Sequence, residues 1–117
     1  MPDLTIERIT DPGGDVILRA AGILDAKSAP TLMSRARAVS GEGSHLILNL
    51  HGITFIASSG VGSLLALVED FTEAGLEVHF TELSSAVRSV IRLLNLDKFL
   101  QIHATEAAAM EARRKAA

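Results

Sequence analysis

Apolar and polar residues alternate from Leu4 to Ile9 and again from Val16 to Ala21, the two-residue period of half-buried strands. Between them Asp11-Pro12-Gly13-Gly14-Asp15 is turn sequence, so the two runs predict an antiparallel hairpin. Gly22-Ile23-Leu24-Asp25 is then expected as a loop. Ser28-Ala29-Pro30 opens a helix, with Ser28 suited to the N-cap and proline to the first turn. That helix ends near Ser40, ahead of Gly41 and Gly43. From Ser44 to Leu50 the chain is almost continuously apolar, as an interior strand flanked by helices would be. A loop is expected after Leu50, from which Phe55-Ile56-Ala57 leads into Ser58-Ser59-Gly60.

Beyond the serines, Val61, Leu64, Leu65, Val68 and Phe71 recur at three- and four-residue spacing and predict an amphipathic helix ending at Gly75. Leu76 to Phe80 reads as a strand. Ser84 then caps a helix whose Val87, Val90, Ile91 and Leu94 share one face, and Asn95 closes it. Phe99 to His103 fits either a last edge strand or a packed connection. Thr105 begins a final helix with Glu106 at its start and Arg113, Arg114 and Lys115 at its end, the charge order the helix dipole favours. Residues 113–117 are expected to fray. This alternation predicts a single α/β domain over 1–117. It would hold a mixed, mostly parallel sheet of four to five strands and about four helices, opened by the N-terminal hairpin.

Composition narrows the function classes. Hydrophobic residues make up 48% of the 117, but the aromatics are four phenylalanines with no Tyr or Trp, so the core must be aliphatic. Without stacking platforms, and with a formal charge of −3, nucleic acid is an unsuitable partner. There is no cysteine, hence no disulfide frame or thiolate site. His45, His51, His79 and His103 lack metal-ligand spacing and read as surface or strand-end residues, so no metal site is expected. Neither Ser58 nor Ser59 sits in a Gly-x-Ser-x-Gly elbow, and no Gly-x-x-x-x-Gly-Lys loop is present. No catalytic residue and no cofactor are expected. The apolar stretch from Ile53 to Val68 is too short and too broken to span a bilayer, and the first residues show no basic-then-apolar leader. The expectation is a cytoplasmic protein without membrane insertion.

The candidate chemistry lies at Ser58 and Ser59. A helix start offers free backbone N–H groups and the positive end of the dipole, so an anionic group on either hydroxyl would be favoured there. The plainer role for either serine is the N-cap itself. Gly60 and Gly62 follow inside the helix, where each costs about 0.5–1 kcal/mol relative to alanine. They serve either tight helix–sheet packing or the close approach of a partner.

Together, Gly22-Ile23-Leu24-Asp25, LNLHGITFIASSGVGSLL, the Gly75 to Phe80 segment and Val87 to Phe99 (VRSVIRLLNLDKF) resemble the STAS domain over essentially the full length. That is the domain of sulfate-transporter C-terminal regions and of bacterial anti-sigma factor antagonists. The resemblance implies a protein that, unphosphorylated, binds an anti-sigma factor which is also an ATP-dependent serine kinase. Phosphorylation of Ser58, the first serine of the motif, would release it, and a serine phosphatase would restore it. ATP would be used by the kinase and not bound by this chain. The implied docking residues are Asp25, Ser58, Ser59, Gly60, Val61 and Gly62, on a monomer or weak dimer. Two departures remove negative charge near the serine: Ala57 stands where an acidic residue usually precedes the pair, and Ile23 where glutamate is common. The alternative is a non-switching STAS scaffold, stressosome-like or attached to a lipid-transport ATPase.

Overall fold

The longest strand is the middle of the sheet and carries the serine pair at its end. In the computed structural model, which describes residues 3–116, strands β1 (Leu4–Thr10), β2 (Val16–Leu24), β3 (Leu46–Ile56), β4 (Val78–Thr81) and β5 (Gln101–His103) lie side by side in that order. The first pair is the antiparallel hairpin, and the other neighbours are parallel. Helices α1 (Ala29–Gly41), α2 (Ser58–Glu73), α3 (Ser85–Leu93) and α4 (Glu106–Ala116) follow β2, β3, β4 and β5 in turn. The mixed sheet, the opening hairpin and the four helices are those the residue pattern predicts.

Strand alternation sorts the core into two unequal halves. Val16, Leu18, Leu46, Leu48 and Phe80 face one side, where Leu32, Leu64, Phe71, Val87 and Ile91 of the first three helices cover them. Ile17 and Ile47 face the other, where α4 supplies Ala109 with Met110 beside it. Thin apolar cover on that side is supplemented by charge. Arg19 grips Glu106 with Nε and Nη2, each 2.9 Å from a carboxylate oxygen. Arg113 Nε reaches Asp15 at 3.3 Å.

Several expectations change in detail. Gly22 to Leu24 is not a loop but the end of β2, and the break expected after Leu50 is absent, because β3 runs unbroken to Ile56. The strand takes three steps from Asn49 to Gly52 where β2 takes two from Arg19 to Ala21, and this bulge reads in sequence as an interruption. Asn49 Oδ1 accepts the His51 N–H at 2.8 Å within it, and a Cβ at Gly52 would lie 2.6 Å from that of Ala21. Of the two readings of Phe99 to His103 the edge strand holds, as β5 over Gln101–His103, and a 3-10 turn at Leu96–Lys98 precedes the run.

Ser84 caps α3 as predicted, accepting the Val87 N–H at 3.2 Å, and Asn95 ends it in the left-handed region at φ 55°. Leu94 and Leu65, both counted in the apolar spacing of their helices, are exposed, since Val87, Ile91, Leu64 and Phe71 already fill the inward faces. His79 is not a surface residue: it is buried, its Nδ1 2.9 Å from His103 Nε2 and its Nε2 2.8 Å from Glu77. Residues 113–116, expected to fray, continue α4, and residue 117 lies outside those described.

Candidate functional site at the start of helix α2

Parallel pairing brings the two candidate segments to one edge of the sheet. Leu24 at the end of β2 pairs with Ile56 at the end of β3, and the Ala57 N–H donates to the Leu24 carbonyl at 2.9 Å. Asp25 follows Leu24 directly and Ser58 follows Ile56 by two residues, with Ala57 between, so the β2–α1 and β3–α2 turns stand side by side.

The N-cap of α2 is Ala57, extended at φ −92°, ψ 170°, and neither serine fills that place. Ser58 and Ser59 are the first two helical residues, both exposed, and among the described residues neither hydroxyl makes a hydrogen bond within the chain. An alanine has no oxygen with which to cap, so the first-turn N–H groups keep no side-chain partner. The edge therefore presents a free hydroxyl, uncapped amide donors and the positive end of a 16-residue helix, an arrangement that suits an added anion.

Asp25 has a structural task. Its Oδ1 accepts the N–H groups of Lys27 and Ser28, each at 3.0 Å, and lies 3.2 Å from Ser28 Oγ. The Ser28 backbone donor, with that hydroxyl and Lys27 behind it, holds the carboxyl below the usual aspartate range despite opposing desolvation. Ser28 occupies the N-cap position of α1 but does not cap it, because its hydroxyl donates to the Ile23 carbonyl at 2.6 Å.

The remaining candidates divide. Gly60 is buried, and a Cβ there would lie 2.5 Å from the Leu24 carbonyl oxygen and 2.9 Å from Ile56 Cγ1, so its absence lets the first turn of α2 press on the end of β2. Val61 is buried in the core. Gly62 is exposed with nothing within 4 Å of where its Cβ would be. Ser58, Ser59 and Gly62 thus face outward, Asp25 is partly exposed beside them, and Gly60 and Val61 shape the turn from within.

Among the described residues no group of three or more His, Asp or Glu could hold a metal, and no helix is long and apolar enough to cross a membrane.

A family model of the STAS domain matches residues 5–109. Among solved structures, the chain is similar to an anti-sigma factor antagonist from Mycobacterium paratuberculosis, with 26% identity, 97% of each chain covered and a TM-score of 0.85. The anti-sigma factor antagonist SpoIIAA in its unphosphorylated form matches with 22% identity, 95% of this chain, 97% of that one and a TM-score of 0.77. The Bacillus cell fate determinant SpoIIAA in its phosphorylated form matches with 21% identity, 92% of this chain, 98% of that one and a TM-score of 0.70.

Proposed function

The chain belongs to the STAS domain family, and from that premise we propose that it is an anti-sigma factor antagonist switched at Ser58. Unphosphorylated, it docks the first turn of α2 and the adjoining Asp25 turn on an anti-sigma factor that is also a serine kinase. Phosphate on Ser58 ends the contact, and a serine phosphatase renews it. The chain acts in the cytoplasm as a monomer or weak dimer, and it needs neither an active site nor a cofactor of its own, since ATP is consumed by the kinase.

The observation that carries this reading is the exposed, unbonded Ser58 hydroxyl at an uncapped helix start. Phosphorylation adds about −1.5 to −2 charges and three acceptor oxygens, which the free N–H groups and dipole can receive without unfolding the domain. A partner seated on the same turn would have to bury that dianion, and a loss of about 3 kcal/mol weakens binding on the order of 100-fold. The similarity of the fold to relatives in both phosphorylated and unphosphorylated forms is consistent with a modification that leaves the fold in place.

Ser58→Asp should weaken binding to the cognate purified anti-sigma factor by on the order of 100-fold, with a melting temperature within a few degrees of wild type. Incubation with ATP and the host's serine-kinase anti-sigma factors should add one phosphate, which intact-mass analysis places on Ser58. Failure of every such kinase to modify Ser58, with binding intact in Ser58→Asp, would leave the non-switching scaffold in its place.

A further inference from the structure

We propose that the partner docked at Ser58 also inserts an apolar side chain, flanked by a lysine or arginine, into a groove two turns further along α2; this rests on the reading of Ser58 above. The groove lies between α2 and the 3-10 turn. It encloses about 360 Å³ and is lined by Leu65, Val68, Leu96 and Phe99, with Glu69 at its rim. Phe99 is 67% exposed and Leu65 36%, so an open apolar surface stands here beside an acidic group.

The groove is continuous with the serine site. Ser58, Gly62, Leu65 and Glu69 are separated by four, three and four residues, which places them on one stripe of the helix, and all four are exposed. At about 1.5 Å of rise per residue, Leu65 stands roughly 10 Å from Ser58. A stable interface covers about 800 Å² per partner, a disc of roughly 16 Å radius, so a protein centred on Ser58 reaches the groove.

Gly62 supplies an independent reason to run the contact along this stripe. Glycine in an open helix position costs about 1 kcal/mol relative to alanine. Two residues earlier Gly60 is required by the Leu24 carbonyl, but no atom of this chain crowds Gly62. A second surface pressed against the helix at that point gives the missing methyl a purpose. The acidic rim at Glu69 selects the charge of what enters, because a cation beside the inserted apolar group would be paired and an anion repelled. Since the groove does not include Ser58, its contact is insensitive to phosphate, and the modified chain retains a weak residual affinity.

The test measures binding of the host's purified anti-sigma factors, one at a time, to the full chain by calorimetry. Phe99→Ser, Leu65→Ser and the rim reversal Glu69→Lys should each weaken binding at least tenfold while circular dichroism stays unchanged. Gly62→Ala should weaken binding although it raises the melting temperature, which a purely structural role cannot produce. Wild-type affinity in Phe99→Ser and Glu69→Lys, with Ser58→Asp still impaired, would overturn the groove and leave the serine site standing. No binding of any anti-sigma factor to the wild-type chain would overturn both. A concentration-dependent dimer in sedimentation, abolished by Phe99→Ser, would assign the groove to a second copy and likewise sink the proposal.

Discussion

Two glycines two residues apart near the start of one helix carry opposite costs. A Cβ at Gly60 would have to displace the Leu24 carbonyl at 2.5 Å, a backbone atom fixed by the Ala57 N–H, so Gly60→Ala should destabilise by about 1–3 kcal/mol. At Gly62 the methyl meets open space and only helix propensity changes, so Gly62→Ala should stabilise by about 1 kcal/mol. That separates the two melting temperatures from wild type in opposite directions, by roughly 4 °C per kcal/mol. A loss at both positions would mean that α2 does not start where the Ala57 cap places it. The sequence allowed packing or partner contact for both glycines; distinguishing them needs the neighbour across the sheet, which no local pattern contains. Ser84 was legible because its partner Val87 is three residues away, whereas Asp25 showed only a loop acid, its bonds to Lys27 and Ser28 depending on a particular turn.

At the scale of elements, what could be read was what repeats. The apolar runs of β2, β3 and β4 and the spirals of α2 and α3 follow periods of two and 3.6, while the bulge in β3 breaks its period and hid the continuity from Leu50 to Ile56. Helix α4 was legible only as a dipole-matched charge order, and its charges turn out to have tertiary partners. Glu106 at its first turn accepts from Arg19 and, at 2.7 Å, from Asn49, and the Arg19 pairing first of all holds its carboxyl below the usual range. Arg113 near the other end meets Asp15, whose side chain is only 7% exposed. Since Ile17, Ile47, Ala109 and Met110 provide a small apolar contact between these pairs, Arg113→Ala should uncover an unpaired carboxylate and cost about 1–3 kcal/mol. Urea titration would measure it. Hydrogen exchange should quicken in α4 before it does in α1 or α2, and uniform quickening across all helices would refute the idea of a separately fastened element.

For the whole molecule, strand–helix alternation was enough to reach the fold, because parallel neighbours need crossover helices and short connections leave few ways to arrange them. The histidines were not legible: nothing in their spacing says that β4 and β5 pair and carry His79 and His103 into contact across the sheet edge. That contact makes stability depend on pH. The Glu77 carboxylate can only accept from His79 Nε2, and the Nδ1 of a neutral His79 then accepts from His103 Nε2–H. Burial first, and the neighbouring His79 second, hold His103 below the ordinary histidine range. The folded chain therefore binds fewer protons than the unfolded chain once the pH drops below about 6.5, and stability must fall with pH from there until the folded value is passed. The slope from one such site is at most about 1.4 kcal/mol per pH unit. Asp25 and Glu106, both held low, add a second loss only below about pH 4, where the unfolded carboxylates take up protons first. Urea midpoints measured from pH 8 to pH 3 should thus decline in two steps. His103→Gln, which keeps a donor for His79 but cannot titrate, should remove the upper step and spare the lower, and an upper step that persists in the variant would place its origin elsewhere than the β4–β5 edge.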